Sequence, residues 1–360
     1  MNLMENHVLS ININVNKYIM RDNSVSIAKA FAIVLMVLAH TWFWDIGEKW
    51  INMFHMPLFF FMAGYCFKEK YLTDFKAFAI KRWVGLYKPY VKWSLIFLAL
   101  HNVFFFLNFY NDEYGTKGNV SQLYALTDFV KRAIKIVISM SGNDQLLGGY
   151  WFLKSLFVGS FISYFSIRYV KNSALRGGYL LSATIIISGL NLSIPIFHVS
   201  GREFLAAMIF TMGYIYKSRN MNLHQSWWCI PIGFLFVTLG VCYWQATLMK
   251  FSWTVVVPFL ISSIAGILMV FKLSYFVNSK ENWVKKFLVY IGDNTLTILT
   301  WHFLSFKIVS SIIIYVENLP IKTLAEFPVI ADYTSRGWFI LYFIVGMAVP
   351  LLFTKSKYLK

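Results

Sequence analysis

Ten apolar runs, separated by short segments rich in Lys and Arg, constrain this chain more than any other feature. A helix crossing a bilayer core of ~30 Å needs about 20 predominantly apolar residues. The runs span Ser26–Trp44, Met53–Phe67, Val84–Leu107, Tyr150–Ile167, Tyr179–Ile196, Phe204–Tyr216, Trp228–Trp244, Trp253–Phe271, Asn294–Val316 and Gly337–Thr354. The second and sixth are short and suit tilted helices packed on neighbours. Charged residues make up 14% of the chain, against about a quarter in soluble domains. The deficit is spread along the chain, so it argues for many spans rather than one anchor.

The net charge of +17 has the sign expected of a nucleic-acid binder. Its distribution excludes that reading, because the Lys and Arg lie in clusters between apolar runs, the topology signal of a membrane protein. With the N-terminus in the cytoplasm, roughly two thirds of the basic residues fall in inner segments, and every inner loop is basic. The expectation is an all-α, polytopic transmembrane helical bundle of about ten spans with both termini cytoplasmic. Residues 1–25 form a polar, Asn-rich segment without a cleavage signal, so the first span is expected to direct insertion itself. The transmembrane domain covers 26–354 and a basic cytoplasmic tail 355–360.

The longest exterior segment, 108–149, carries Leu126, Phe129, Val130, Ala133, Ile134 and Val137 at helical spacing among Asp128, Lys131, Arg132 and Lys135. It reads as an amphipathic helix in the outer interface. Cys66, Cys229 and Cys242 are odd in number and irregular in spacing, which gives neither a disulfide framework nor a metal pattern. They are expected to be small core hydrophobes, and no metal site is expected.

Ionisable residues inside spans are costly and mark functional sites. Lys29 and His40 lie eleven residues apart in the first span. Eleven residues turn a helix about 20° beyond three full turns and advance it ~16 Å, so the two share a face. A cation at the entrance and a titratable base further in can form a reaction axis. Equally, Lys29 can snorkel to headgroups and His40 can be a satisfied bundle histidine. His55 opens the second span just before Pro57, at a depth near His40. Lys81, Lys88 and Lys92, spaced i, i+7, i+11 beside Arg82, form a basic stripe that suits either a phosphate-bearing ligand or snorkelling. Trp151 opens the fourth span and fits an aromatic belt. His302 lies near the midplane of the ninth span, within reach of the cavity of His40, and Asn294 is placed as an N-cap. His101 and Asn102 are also intramembrane, with no role evident from spacing.

Five segments in this order resemble the acyltransferase-3 family of integral-membrane acyltransferases, most of all its fucose 4-O-acetylase-like branch. They are Lys29 with His40; Phe54-His55-Met56-Pro57-Leu58 through Gly64-Tyr65; Lys81-Arg82 before Pro89-Tyr90; Trp151-Phe152-Leu153; and Gly292, Asn294, Thr295 and Leu296 followed by His302. Many members carry Arg where this chain has Lys29, Ser where it has Ala63, and further basic residues where it has Val84-Gly85.

The resemblance implies a membrane-embedded O-acyltransferase of the bacterial cytoplasmic membrane. It would move an acetyl group from acetyl-CoA, a co-substrate rather than a bound cofactor, to a hydroxyl of a cell-surface or lipid-linked carbohydrate. His40 would be the general base. Lys29, Lys81, Arg82 and Lys88 would meet the CoA phosphates, and His55, Trp151, Asn294 and His302 would position the acceptor or support His40. The rival reading is a transporter or flippase of a lipid-linked or anionic solute. It lacks the inverted repeats and paired broken helices common in that class.

Overall fold

A computed structural model describes residues 22–114, 120–142 and 144–354. The basic positions Lys17, Arg21, Lys355, Lys357 and Lys360 used for the topology expectation, and the tail 355–360, lie outside the described residues. The described chain is helical. It contains no strand, only an isolated antiparallel bridge between Ile194 and Val199.

Each of the ten expected spans holds a helix. Five helical stretches are long and apolar enough to cross a membrane: Phe75–Phe106, Gln145–Tyr169, Trp253–Asn278, Thr295–Glu317 and Ala331–Leu352. The others are shorter or carry more charge. The chain is thus a multi-pass membrane protein by the length and composition of several helices.

The first helix, α1 (Ser24–Ala39), is shorter than the expected Ser26–Trp44. His40 is its C-cap, the Thr41 hydroxyl donates to the Leu38 carbonyl at 2.7 Å, and Trp42 turns the chain with φ of 50°. A separate helix, α2 (Asp45–Asn52), follows, with Asp45 and Glu48 in its first turn, where the helix dipole favours them. Then comes α3 (His55–Tyr65), with Pro57 in its opening turn.

Helix α4 (Phe75–Arg82) passes through a π-helical turn, Trp83–Tyr87, into α5 (Lys88–Phe106). Helix α6 (Leu126–Ser139) precedes α7 (Trp151–Tyr169), α8 (Ser173–Gly189) and α9 (Gly201–Ser218). The chain ends in α10 (Cys229–Tyr243), α11 (Val256–Asn278), α12 (Trp283–Asp293), α13 (Thr295–Glu317) and α14 (Phe339–Leu352).

Helix α1 sits at the centre, against α3, α11, α12, α13 and α14. Its small residues Ala28, Ala30 and Ala32 are fully buried, which lets those neighbours approach. Helices α3 and α9 cross at Gly64 and Gly213. A Cβ at Gly64 would overlap the Phe210 carbonyl, and one at Gly213 the Phe61 carbonyl. Helices α7 and α9 pack side by side, with Ser155 bonded to Glu203 at 2.7 Å and Ser163 to the Ala207 carbonyl at 3.0 Å.

The amphipathic segment is helical but does not stand apart from the bundle. Its start is clamped to α5 by Asn102, which donates to the Tyr124 carbonyl at 3.1 Å and accepts from the Tyr124 amide at 2.9 Å. His101 donates to the Gln122 carbonyl at 3.0 Å. Its far end is held by the Tyr87 hydroxyl, which donates to the Val137 carbonyl at 2.7 Å. Helix α6 therefore runs back along α5. Leu126, Val130, Ile134 and Val137 form an exposed apolar stripe, while Ile136 is buried against the bundle.

Candidate active site

The backbone turn at the end of α1 delivers His40 to a cluster of rings. Its imidazole stacks on that of His302, with centroids 5.6 Å apart and planes at 21°, and it meets the Phe303 ring at 4.8 Å. His302 is fully buried in α13. Its Nδ1 lies 3.0 Å from the Ile298 carbonyl and 3.1 Å from the Leu299 carbonyl. Carbonyl oxygens only accept, so Nδ1 carries the proton, and the Nε2 of the neutral ring holds a lone pair. That Nε2 is buried without a hydrogen-bond partner. His55 is set the same way, its Nδ1 donating to the Ile51 carbonyl at 2.9 Å, and it lies within charge range of His40. The His40 ring is half-buried and makes no hydrogen bond among the described residues.

An apolar cavity of about 290 Å³ approaches this cluster from one side. Val25, Lys29 and Cys66 line it at one end. Met36, Met56 and Leu299 line it at the other, one turn before His40, beside His55 and one turn before His302. Phe152, Leu153 and Leu156 of α7 form a wall. Lys29 thus lines one end of the passage, and the other end stops about one turn short of the histidine pair.

Around the Lys29 end, Lys29, Lys81 and Lys217 act electrostatically on Cys66, and Tyr71 and Cys66 act on Arg82. The Arg82 guanidinium is sandwiched between the Phe78 and Phe210 rings at 5.2 and 5.4 Å. Lys217 lies over the Tyr65 ring at 4.8 Å. Cys66 and Cys242 are exposed, and Cys66 lines the cavity, so these two are not the core residues their apolar runs suggest.

The basic stripe is not continuous. The π turn Trp83–Tyr87 adds about one residue of rotation, ~100°, between Lys81 and Lys88. Lys88 is exposed, does not line the cavity, and makes no hydrogen bond or ion pair among the described residues. Asn294 stands at the N-cap position of α13 but makes no capping bond. Its amide donates backward to the Tyr290 carbonyl at 2.8 Å, tying α12 to α13. The next two residues, Thr295 and Leu296, line the cavity with Lys29, so Asn294 belongs to the Lys29 end, ~12 Å along α13 from His302.

Trp151 opens α7. Its predecessor Tyr150 bonds to Thr300 at 2.7 Å, two residues before His302, and its successor Phe152 packs on Phe59 and Phe60 at 5.2 Å. The Trp151 ring itself faces Arg202, whose guanidinium lies 5.4 Å away.

Two features escape sequence reading. Lys307, 2% exposed in α13, donates to the Leu324 and Glu326 carbonyls at 2.7 and 2.8 Å. It holds the following loop so that Phe327 packs on Phe303 at 4.7 Å, covering the histidine cluster. Only the rarity of a lysine inside an apolar span signals it. The second is a charged group at the head of α9. Ser200 and Glu203 form a capping box, a pattern readable as Ser-x-x-Glu before an apolar run.

An acyltransferase domain family model matches residues 22–355, nearly the whole chain. No curated protein and no solved structure matches it.

Proposed function

Because the chain belongs to the acyltransferase-3 family, we propose that it is a membrane O-acyltransferase transferring acetyl from acetyl-CoA to a hydroxyl of a cell-surface or lipid-linked carbohydrate. The observation that carries this reading is the apolar passage leading from Lys29 to within one turn of the His40–His302 pair. The proposed topology has ten spans and both termini in the cytoplasm of a bacterial inner membrane, so the Lys29 end faces the cytoplasm.

CoA enters there. Its phosphates meet Lys29, Lys81 and Arg82, with Lys88 adding charge from outside the cavity. The pantetheine arm occupies the apolar passage, which suits an uncharged chain spanning the ~16 Å between Lys29 and His40. At the far end a free nitrogen of His40 takes the proton of the acceptor hydroxyl as its oxygen attacks the thioester carbonyl. The carbon–sulfur bond breaks, and the CoA thiolate takes the proton from the imidazolium. The products are the acetyl ester and free CoA. The unpartnered Nε2 of His302 accepts a hydrogen bond from a neighbouring hydroxyl of the acceptor sugar; His55 and Trp151 hold the surrounding frame, and Asn294 supports the Lys29 end by tying α12 to α13.

The test is acetyl transfer in proteoliposomes with labelled acetyl-CoA and membrane glycans, comparing wild type with His40→Ala at equal expression. Label on glycan that the substitution abolishes supports the reading. No label from wild type, with acceptor from the native membrane present, returns the weight to a transporter.

A further inference from the structure

The openings of α7 and α9 carry a group of charges that the proposed reaction does not use. Glu203 is fully buried and saturated. Its Oε1 accepts from the Ser155 hydroxyl at 2.7 Å and from Arg202 Nε at 2.9 Å. Its Oε2 accepts from the Ser200 amide and hydroxyl, both at 2.8 Å. A carboxylate with four donors has little capacity for more. Against this single negative charge stand two positive ones.

Arg202 uses only Nε on Glu203, and its guanidinium carbon lies over the Trp151 ring, 5.4 Å from its centre. Its two terminal amino groups have no hydrogen-bond partner among the described residues. Lys154 is 7% exposed and within charge range of both Glu203 and Arg202. It makes no hydrogen bond and no ion pair among the described residues, yet its Nζ retains some solvent-accessible surface. A lysine so buried with three unused donors is expensive unless an anion joins it. Together Lys154 and Arg202 present a fork and a point charge beside an aromatic plane, a donor set suited to a carboxylate or a phosphate. The positive ends of the parallel helices α7 and α9 add to the same field.

We infer that Lys154 and Arg202 form an anion-binding subsite that recognises an acidic group, carboxylate or phosphate, on the carbohydrate acceptor. The assignment to the acceptor rests on the acyltransferase reading; the anion site rests on Lys154, Arg202 and Glu203 alone. The link between them is the first turn of α7, where Tyr150 is bonded to Thr300 near His302 and Trp151 carries Arg202. An acceptor whose hydroxyl reaches His40 would place its acidic group further along the chain, at Lys154 and Arg202. The site therefore selects acidic over neutral glycans.

The experiment is equilibrium binding to the purified full-length protein in detergent. Three probes are compared: a uronic-acid trisaccharide, its carboxyl-reduced neutral counterpart, and a polyprenyl-diphosphate-linked neutral trisaccharide. Wild type should bind at least one acidic probe in preference to the neutral one. Lys154→Met and Arg202→Gln should each cut that preference about tenfold, and Lys154→Arg should keep most of it. Preference for the uronic acid alone identifies a carboxylate, and for the diphosphate alone a phosphate. Equal binding of acidic and neutral probes by wild type, or a preference untouched by the substitutions, overturns the subsite. Acetyl-CoA turnover is measured on the same preparations. Wild type that binds acidic probes through these residues but turns over no acetyl-CoA keeps the anion site and removes the enzyme reading.

Discussion

At the histidine end of the cavity the rings are held by named partners. His302 is pinned by two carbonyls, His55 by one, and Phe303 packs between His40, His302 and Phe327. At the Lys29 end the cations rest on rings or reach outward: Arg82 between two phenyl groups, Lys217 over Tyr65, and Lys81 near Tyr71. The first arrangement orients the rings of His302 and His55, as bond-making chemistry requires of the groups around its base. The second sets a field with movable donors, as capture of a flexible polyphosphate allows. The contrast teaches where substitutions should act on rate and where on affinity.

The largest effect is expected at the fixed end. His40→Ala should lower kcat for acyl transfer by 10²–10⁴-fold, in the range of general-base catalysis, and leave acetyl-CoA affinity within about twofold, since α1 ends before His40 and the cavity lies one turn away. A matching rise in acetyl-CoA KM with unchanged kcat would erase the distinction between the two ends. Lys29→Met should do the converse, raising KM for acetyl-CoA about 10–100-fold, the scale of a charge-assisted hydrogen bond, and Lys29→Arg should restore most of it. Cys66 gives an independent readout of the same end. In a Cys229→Ser, Cys242→Ser background, maleimide labelling of Cys66 should be slowed by CoA, because Cys66 lines the passage. Labelling indifferent to CoA would detach the cavity from the donor.

The pairing of Lys29 with His40 was legible because helical period alone puts residues eleven apart on one face. The contact of His40 with His302 was suggested only by depth. His40 keeps helical backbone, its amide bonded to the Met36 carbonyl at 3.1 Å, so the contact depends on which face of α13 meets the end of α1, and that has no sequence signature. Periodicity equally projected Lys81, Lys88 and Lys92 onto one stripe, and the π turn defeats that projection because the rule assumes unbroken 3.6-residue turns. Asn294 has a capping residue's chemistry at a capping position, yet its side chain turns back to donate to the Tyr290 carbonyl of α12 and its oxygen makes no capping bond. His101 and Asn102 looked like intramembrane oddities. Their partners, Gln122 and Tyr124, are loop backbone twenty residues on, which no spacing rule anticipates.

A fourth prediction concerns what keeps the fixed end fixed. Lys307 donates to two loop carbonyls while buried, so Lys307→Met leaves both acceptors without it. The expected cost is about 1–3 kcal/mol of stability, read as a lower unfolding midpoint of the full-length protein in detergent. The loop should also loosen over Phe303, seen as faster hydrogen exchange at residues 324–330. Unchanged stability and exchange would mean that the cluster is closed by ring packing of Phe327 alone.

The smallest effect is expected at Lys88, and it tests whether the Lys29 end works through contact or through field. Lys88 is exposed, beyond the π turn and outside the cavity lining. Its charge reaches bound phosphates only across solvent, where screening acts over about 8–10 Å at physiological salt. Lys88→Ala should therefore change acetyl-CoA KM by about twofold or less, and the change should vanish at ~0.5 M salt. The Lys29→Met effect should persist there, because Lys29 lines the cavity itself. If Lys88→Ala instead matched Lys29→Met and resisted salt, Lys88 would have to touch the donor. The π turn would then have to unwind to an α-helical register when CoA binds, putting Lys81 and Lys88 back on one face.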